Sequence, residues 1–268
     1  MRHLIATIKM MAFLVGTLFY YSLIMVVLVF SIFGFNYEKY RGYLLKIWGK
    51  SVCYIMNVKF DIRGTVPEPP FFLVSNHLSY ADVFVLFAQL RCLFVAKSDV
   101  KHWPLIGFIV KTCGILFIDR QKKRDIKRVN NKISKNINSN QGIIVFPEGT
   151  TSPGTEVLRF RAPLLEYPAS TGFPVSYVAL SYQTPDTEDP AYKSVCWWDD
   201  RSFFSHFYEL LKLKSFTCIM NFGNETITHG DRKALTASLN KAISDKLIPT
   251  VNSSEFNEKH GMFEPLKI

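Results

Sequence analysis

Apolar residues follow two patterns along this chain. From Met10 to Phe35 the run MMAFLVGTLFYYSLIMVVLVFSIFGF carries no charge, and at 1.5 Å per residue a helix of that length covers a hydrocarbon core of roughly 30 Å. A cleaved leader has an apolar stretch of about 7 to 15 residues and a small-residue cleavage site, and the run fits neither. It predicts a retained membrane helix. Residues Tyr37 to Val58 mix apolar and basic positions, as an interfacial helix does. Spanning the bilayer and lying in one leaflet are both open to such a segment.

Beyond the Pro- and Gly-rich stretch RGTVPEPP at 63–70, short apolar runs recur at 71–75, 92–97, 114–118, 142–146, 174–182 and 216–222. They read as strands. Helical patterns fall between or after them, at 80–90, 123–139, 201–213 and 231–247. The alternation predicts an α/β fold, a mixed sheet flanked by helices, with the hydrophobic membrane helix in front. The expected domains are an anchor with its interfacial helix over 1–62, an α/β domain over 63–249, and a loosely ordered polar tail over 250–268.

Composition narrows the partners. The formal net charge of +10 favours phosphates or anionic lipid headgroups. Most of the 23 Phe lie inside apolar runs such as GILFI and do not alternate with Lys and Arg, which argues against nucleic acid. Arg2 and Lys9 precede the membrane run, whereas Lys39, Arg41, Lys46 and Lys50 follow it, favouring a cytoplasmic face for the main domain. The five cysteines are widely spaced and odd in number, so neither a zinc knuckle nor a disulfide framework is expected.

In an α/β sheet, ligands bind where loops leave the C-terminal ends of strands. Polar groups sit at three such ends: Asn76 and His77 after the first run, Asp119 and Arg120 after the third, Pro147, Glu148 and Gly149 after the fourth. Asp82 supports two readings. Ser79-Tyr80-Ala81-Asp82 matches a capping box in front of an apolar helix. A carboxylate in that first turn can equally bend back to His77, fix its tautomer and leave the other ring nitrogen as general base. There is no G-x-S-x-G elbow and no metal-binding spacing, so a base without its own protein nucleophile points to direct attack by a substrate hydroxyl.

Taken together, NHLSYAD, GILFIDR, FPEGTTSPG and GFPVSYVAL stand in the order that resembles the glycerolipid acyltransferases, enzymes that acylate lysophosphatidic acid and related lysolipids. The resemblance covers residues 70–182 closely and the hydrophobic N-terminus more loosely. It implies transfer of a fatty acyl group from acyl-CoA or acyl carrier protein to a lysolipid hydroxyl at a membrane, with no resident cofactor or metal. His77 would take the hydroxyl proton, Asp82 would orient its ring, and Asn76 or backbone amides would stabilise the oxyanion. Arg120, Glu148, Gly149 and Thr150 would hold the acceptor headgroup. The third block commonly reads E-G-T-R, and Thr151 stands at the Arg position here, which leaves room for lyso-ornithine lipid or lysophosphatidylcholine beside lysophosphatidic acid. Arg159 and Arg161 lie close by as replacement charges. A bacterial inner membrane is the expected location. A hydrolase activating water and a non-catalytic lipid-binding protein are the competing readings.

Overall fold

The computed structural model describes residues 1–98, 106–118 and 123–264. Among these, seven strands form one sheet: β1 (Val58–Arg63), β2 (Phe72–Ser75), β3 (Cys92–Lys97), β4 (Leu116–Ile118), β5 (Gly142–Val145), β6 (Val175–Gln183) and β7 (Phe216–Phe222). Their spatial order is β1-β7-β6-β2-β5-β3-β4. All neighbours run parallel except β6 and β7, so β2 to β6 end at one edge of a mixed sheet.

The central strands read as unbroken apolar runs because both of their faces are covered. Successive side chains point to opposite sides: Leu73 and Ile144 enter one core, while Phe72, Val74, Ile143 and Val145 enter the other. The first core is covered by α1 (Arg2–Phe30), α2 (Tyr37–Met56), α3 (Ala81–Gln89) and α8 (Phe203–Leu211); the second is covered by α5 (Lys123–Asn136) and α9 (Arg232–Ser244). Shorter helices complete the set: α4 (Ile106–Thr112), α6 (Glu166–Thr171), α7 (Ala191–Ser194) and α10 (Ser253–His260).

The expected strands and helices are all present, with shifts at their ends. Two regions differ from expectation. Residues 59–62, expected at the end of the interfacial segment, belong to edge strand β1, whose Val-Lys-Phe-Asp-Ile-Arg alternation pairs with β7. The tail is ordered through α10: Asn252 caps it by accepting from the Ser254 N–H at 2.9 Å, and Phe256 is buried against Tyr192 and Trp198.

One face of α2 is buried through Leu45, Gly49, Val52 and Met56. A Cβ on Gly49 would stand 2.6 Å from the Ala88 nitrogen, so glycine brings α2 against the backbone of α3, the helix that carries Asp82. All five cysteines are buried free thiols.

Candidate active site

The loop after β2 turns sharply into α3, and Asp82 in the first helical turn organises it. Asp82 is 0% exposed. Its Oδ2 accepts from the Leu78 N–H at 2.7 Å, the Ser79 N–H at 3.0 Å and His77 Nδ1 at 2.7 Å, while Oδ1 accepts from the Tyr182 hydroxyl at 2.7 Å. Burying a lone carboxylate costs several kcal/mol, which four donors offset. Asp82 thus makes both local contacts at once, to the Ser79 backbone and to the His77 ring. It serves as a capping carboxylate, with Ser79 Oγ accepting from the Ala81 N–H at 3.2 Å, and as the partner of the histidine.

His77 lies flat on Phe146, ring centroids 4.0 Å apart, and its side chain stays 20% exposed. Donation from Nδ1–H to Asp82 leaves Nε2 as the ring's acceptor, and among the described residues Nε2 has no hydrogen-bond partner. The backbone is pinned as well. Glu148 Oε2 accepts from the His77 N–H at 3.2 Å, the Ser152 N–H donates to the His77 carbonyl at 3.1 Å, and the Trp197 N–H donates to the Leu78 carbonyl at 2.9 Å.

Glu148, 3% exposed, joins three segments because its Oε1 also accepts from the Leu158 N–H at 3.2 Å. Burial drives its carboxyl well above the usual carboxylate range, with the nearby Asp82 charge adding to the rise and the two backbone N–H groups opposing it. Gly149 takes φ +82°, the left-handed turn that glycine permits after the strand. Thr150 is half-buried on the wall of a cavity of about 760 Å³ beside Glu148. The Thr151 hydroxyl donates to the Trp197 carbonyl, so it closes the loop.

Asn76 departs from its expected role. It is 1% exposed, and its amide is paired end to end with one residue of β6: Nδ2 donates to the Leu180 carbonyl at 2.9 Å, and Oδ1 accepts from the Leu180 N–H at 2.7 Å. A side chain spent in this way clamps β2 to β6 and does not offer itself to an oxyanion. Asp119 and Arg120 lie outside the described residues.

Two contributors escape sequence reasoning. Tyr182, at the far end of β6, supplies the fourth donor to Asp82 from 100 positions away. A buried tyrosine hydroxyl needs a partner, but the chain does not say which. His206 on α8 is fully buried: its Nε2–H donates to the Cys196 carbonyl at 3.0 Å and its Nδ1 accepts from the Tyr80 hydroxyl at 2.8 Å. That pair steadies Tyr80, two residues before Asp82. Burial, reinforced by the Arg201 charge, pushes His206 down to about 4.

A buried carboxylate paired with a partly exposed histidine, whose Nε2 has no hydrogen-bond partner among the described residues, is an arrangement chemically able to take a proton from a hydroxyl. The family model described as Acyltransferase matches residues 57–181. A lyso-ornithine lipid O-acyltransferase of Pseudomonas aeruginosa is 29% identical over 182 residues, 67% of this chain and 68% of that protein. A 1-acyl-sn-glycerol-3-phosphate acyltransferase of Neisseria meningitidis is 31% identical over 159 residues, 56% of this chain and 62% of that protein. The second of these matches spans less than two thirds of the relative. The crystal structure of a 1-acyl-sn-glycerophosphate acyltransferase from Thermotoga maritima shares the fold, with a TM-score of 0.56 at 20% identity over 88% of this chain and 97% of that one.

Proposed function

Because the chain belongs to the glycerolipid acyltransferase family, we propose that it is a membrane-bound O-acyltransferase carrying a fatty acyl group from acyl-CoA or acyl carrier protein to a lysolipid hydroxyl. The observation that carries this reading is the His77 ring, partly exposed, with Nδ1–H committed to a buried carboxylate and Nε2 without a partner among the described residues. Nε2 takes the acceptor's hydroxyl proton as the oxygen attacks the thioester carbonyl. The carbon–sulfur bond then breaks, and the proton passes to the leaving thiolate. Asp82, 2.7 Å from Nδ1, offsets the positive charge that forms on the ring. Glu148 fixes the backbone that carries the ring.

Contacts of α1 support a seat in one leaflet, and the basic residues Lys39, Arg41, Lys46 and Lys50 after it favour the cytoplasmic face of a bacterial inner membrane for the catalytic domain. Along one side α1 is tied to the domain, Arg2 to Glu188 at 3.5 Å, the Lys9 ammonium to the Leu213 carbonyl at 2.9 Å and Tyr21 to Thr112 at 3.0 Å, and between them to α2, Thr17 to Trp48 at 3.1 Å. From Arg2 to Tyr21 such a helix runs about 28 Å at 1.5 Å per residue, nearly the core thickness of roughly 30 Å. A helix held along that length cannot cross the bilayer and leave its domain outside. Its other side exposes Leu4, Ile8, Met11, Leu18 and Phe19, which suits immersion beside the substrate's acyl chain.

Lysophosphatidic acid is the first acceptor to offer, with phosphatidic acid as product. Lyso-ornithine lipid is the second, favoured by the Pseudomonas relative and by Thr151, whose hydroxyl is spent on Trp197. Purified protein in detergent, given labelled acyl-CoA or acyl carrier protein and a panel of lysolipids, should form one diacyl product identified by mass. No product with any donor and acceptor would end this reading.

A further inference from the structure

We propose that His206 is a positioning residue for acyl transfer, acting through the Tyr80 hydroxyl on the turn that carries His77 and Asp82. Its effect on rate rests on the transferase reading; its contacts with the turn do not.

His206 stands on α8, beyond the residues 57–181 that the family model matches. Its Nε2 lies 3.0 Å from the Cys196 carbonyl, an oxygen that can only accept, so this nitrogen carries the proton. In the neutral ring Nδ1 is then the acceptor, and the Tyr80 hydroxyl donates to it at 2.8 Å. Burial, with the Arg201 charge behind it, holds the imidazole down at about 4, so near neutral pH the two nitrogens keep these roles. Cys196 leads directly into Trp197, whose N–H donates to the Leu78 carbonyl at 2.9 Å and whose carbonyl accepts from the Thr151 hydroxyl. Leu78 and Tyr80 are two residues apart, so the strap 196–197 and His206 close a ring of hydrogen bonds on the turn.

The turn needs such a hold from outside. Three of the four donors to Asp82, from His77, Leu78 and Ser79, belong to the same loop and move with it. They fix the shape of the loop and not its place on the sheet. Tyr80 is the N-cap of α3, with its carbonyl accepting from the Val83 N–H at 3.1 Å, so its position sets the first helical turn from which Asp82 reaches the His77 ring. The Tyr80 ring meets Phe203, Trp197, Phe207 and Phe84 edge-on, at centroid distances from 4.8 to 6.2 Å. Apolar contact of this kind supplies stability without direction. Direction comes from the hydroxyl, whose one acceptor sits on a helix that is itself packed on α1, Phe207 against Phe13 at 4.7 Å. Removing the hydroxyl leaves the ring packing in place and frees the turn, which is the distinction between positioning and bulk stability.

The test uses full-length protein in dodecyl maltoside, with Tyr80→Phe, His206→Gln, His206→Asn and the Tyr80→Phe/His206→Gln double variant, each assayed below its thermal transition. Gln puts an amide donor where Nε2 stands and takes the acceptor away from Tyr80, whereas Asn keeps an acceptor where Nδ1 stands. Tyr80→Phe and His206→Gln should each lower kcat about tenfold, with KM for both substrates within about twofold of native and no further loss in the double variant. His206→Asn should stay within about threefold of native kcat. A second readout is independent of turnover: proton–nitrogen correlation of nitrogen-15 histidine, assigned through His77→Ala, reports which ring nitrogen of His77 carries the proton. Native protein should show the Nδ1–H form alone, and Tyr80→Phe and His206→Gln a mixture with the Nε2–H form. Native kcat in Tyr80→Phe, a fall in His206→Asn as large as in His206→Gln, or a His77 tautomer that is the same in every variant overturns the proposal. The expected tautomer shift in a protein that transfers no acyl group upholds the positioning and removes the transferase reading.

Discussion

Around His77 nearly every polar group already has a partner within the fold, whereas the rim of the cavity beside Glu148, at Arg159, Arg161 and Lys233, carries charge with no ion-pair partner among the described residues. The difference separates two tasks. Catalysis by a general base needs one nitrogen aimed to within a few tenths of an ångström, which saturated hydrogen bonding provides. Recognition of an anion needs charge held in reserve. Side chains of the first kind are tied to folding, and those of the second kind are free to change with the substrate.

Substitutions should divide along this line. The largest effect belongs to His77→Ala, which removes the base and should lower kcat about 10³-fold. Because the ring is partly exposed and rests on one face of Phe146, thermal unfolding should stay close to native. A parallel collapse of stability would show that the loop depends on the ring. Asp82→Asn should cost both activity and stability. Its amide would turn an NH2 toward N–H donors, so a loss of about 2 kcal/mol in urea titrations should accompany a fall of about 100-fold in kcat.

His206 extends the contrast to pH. Its folded value of about 4 lies below the ordinary value of 6.5, so the unfolded chain takes up the proton first as pH falls. Stability is full above pH 6.5 and declines down to about pH 4, by about 3 kcal/mol for this one group. His206→Gln should flatten that decline while lowering stability at pH 7, measured by denaturant titration across the range. The smallest effect is assigned to Tyr182→Phe. It deletes one of four donors to Asp82 and should cost about 1 kcal/mol of stability and a fewfold in kcat. A neutral outcome would show that three donors suffice.

Legibility in the sequence follows the same division. The strands were readable because β2, β3, β5 and β6 are buried on both faces and so leave continuous apolar runs. β1 is hard to read because it is a half-exposed edge directly after a helix, where six alternating residues look like the helix's end. α10 leaves little trace in the sequence because one large side chain, Phe256, secures it inside a polar stretch. The histidine and aspartate were visible because they lie within six residues and meet locally. Tyr182 and Leu180, which complete that site, come from a distant strand, and their pairing with Asp82 and Asn76 depends on strand order. Asn76 drew attention by position, yet only the β2–β6 register shows that its amide belongs to the sheet. The cavity beside Glu148 was equally hidden, since Arg161 and Lys233 are separated by 71 residues of intervening fold.

Most direct for the central claim is thiol release from an acyl thioester, with and without lysophosphatidic acid or lyso-ornithine lipid, in native protein and His77→Ala side by side. Direct attack by an acceptor hydroxyl predicts release that requires the lysolipid, matches diacyl product one for one, and is lost in the variant. Equal release without any lysolipid would identify a hydrolase, and equal acceptor-dependent release from both proteins would take the base away from His77.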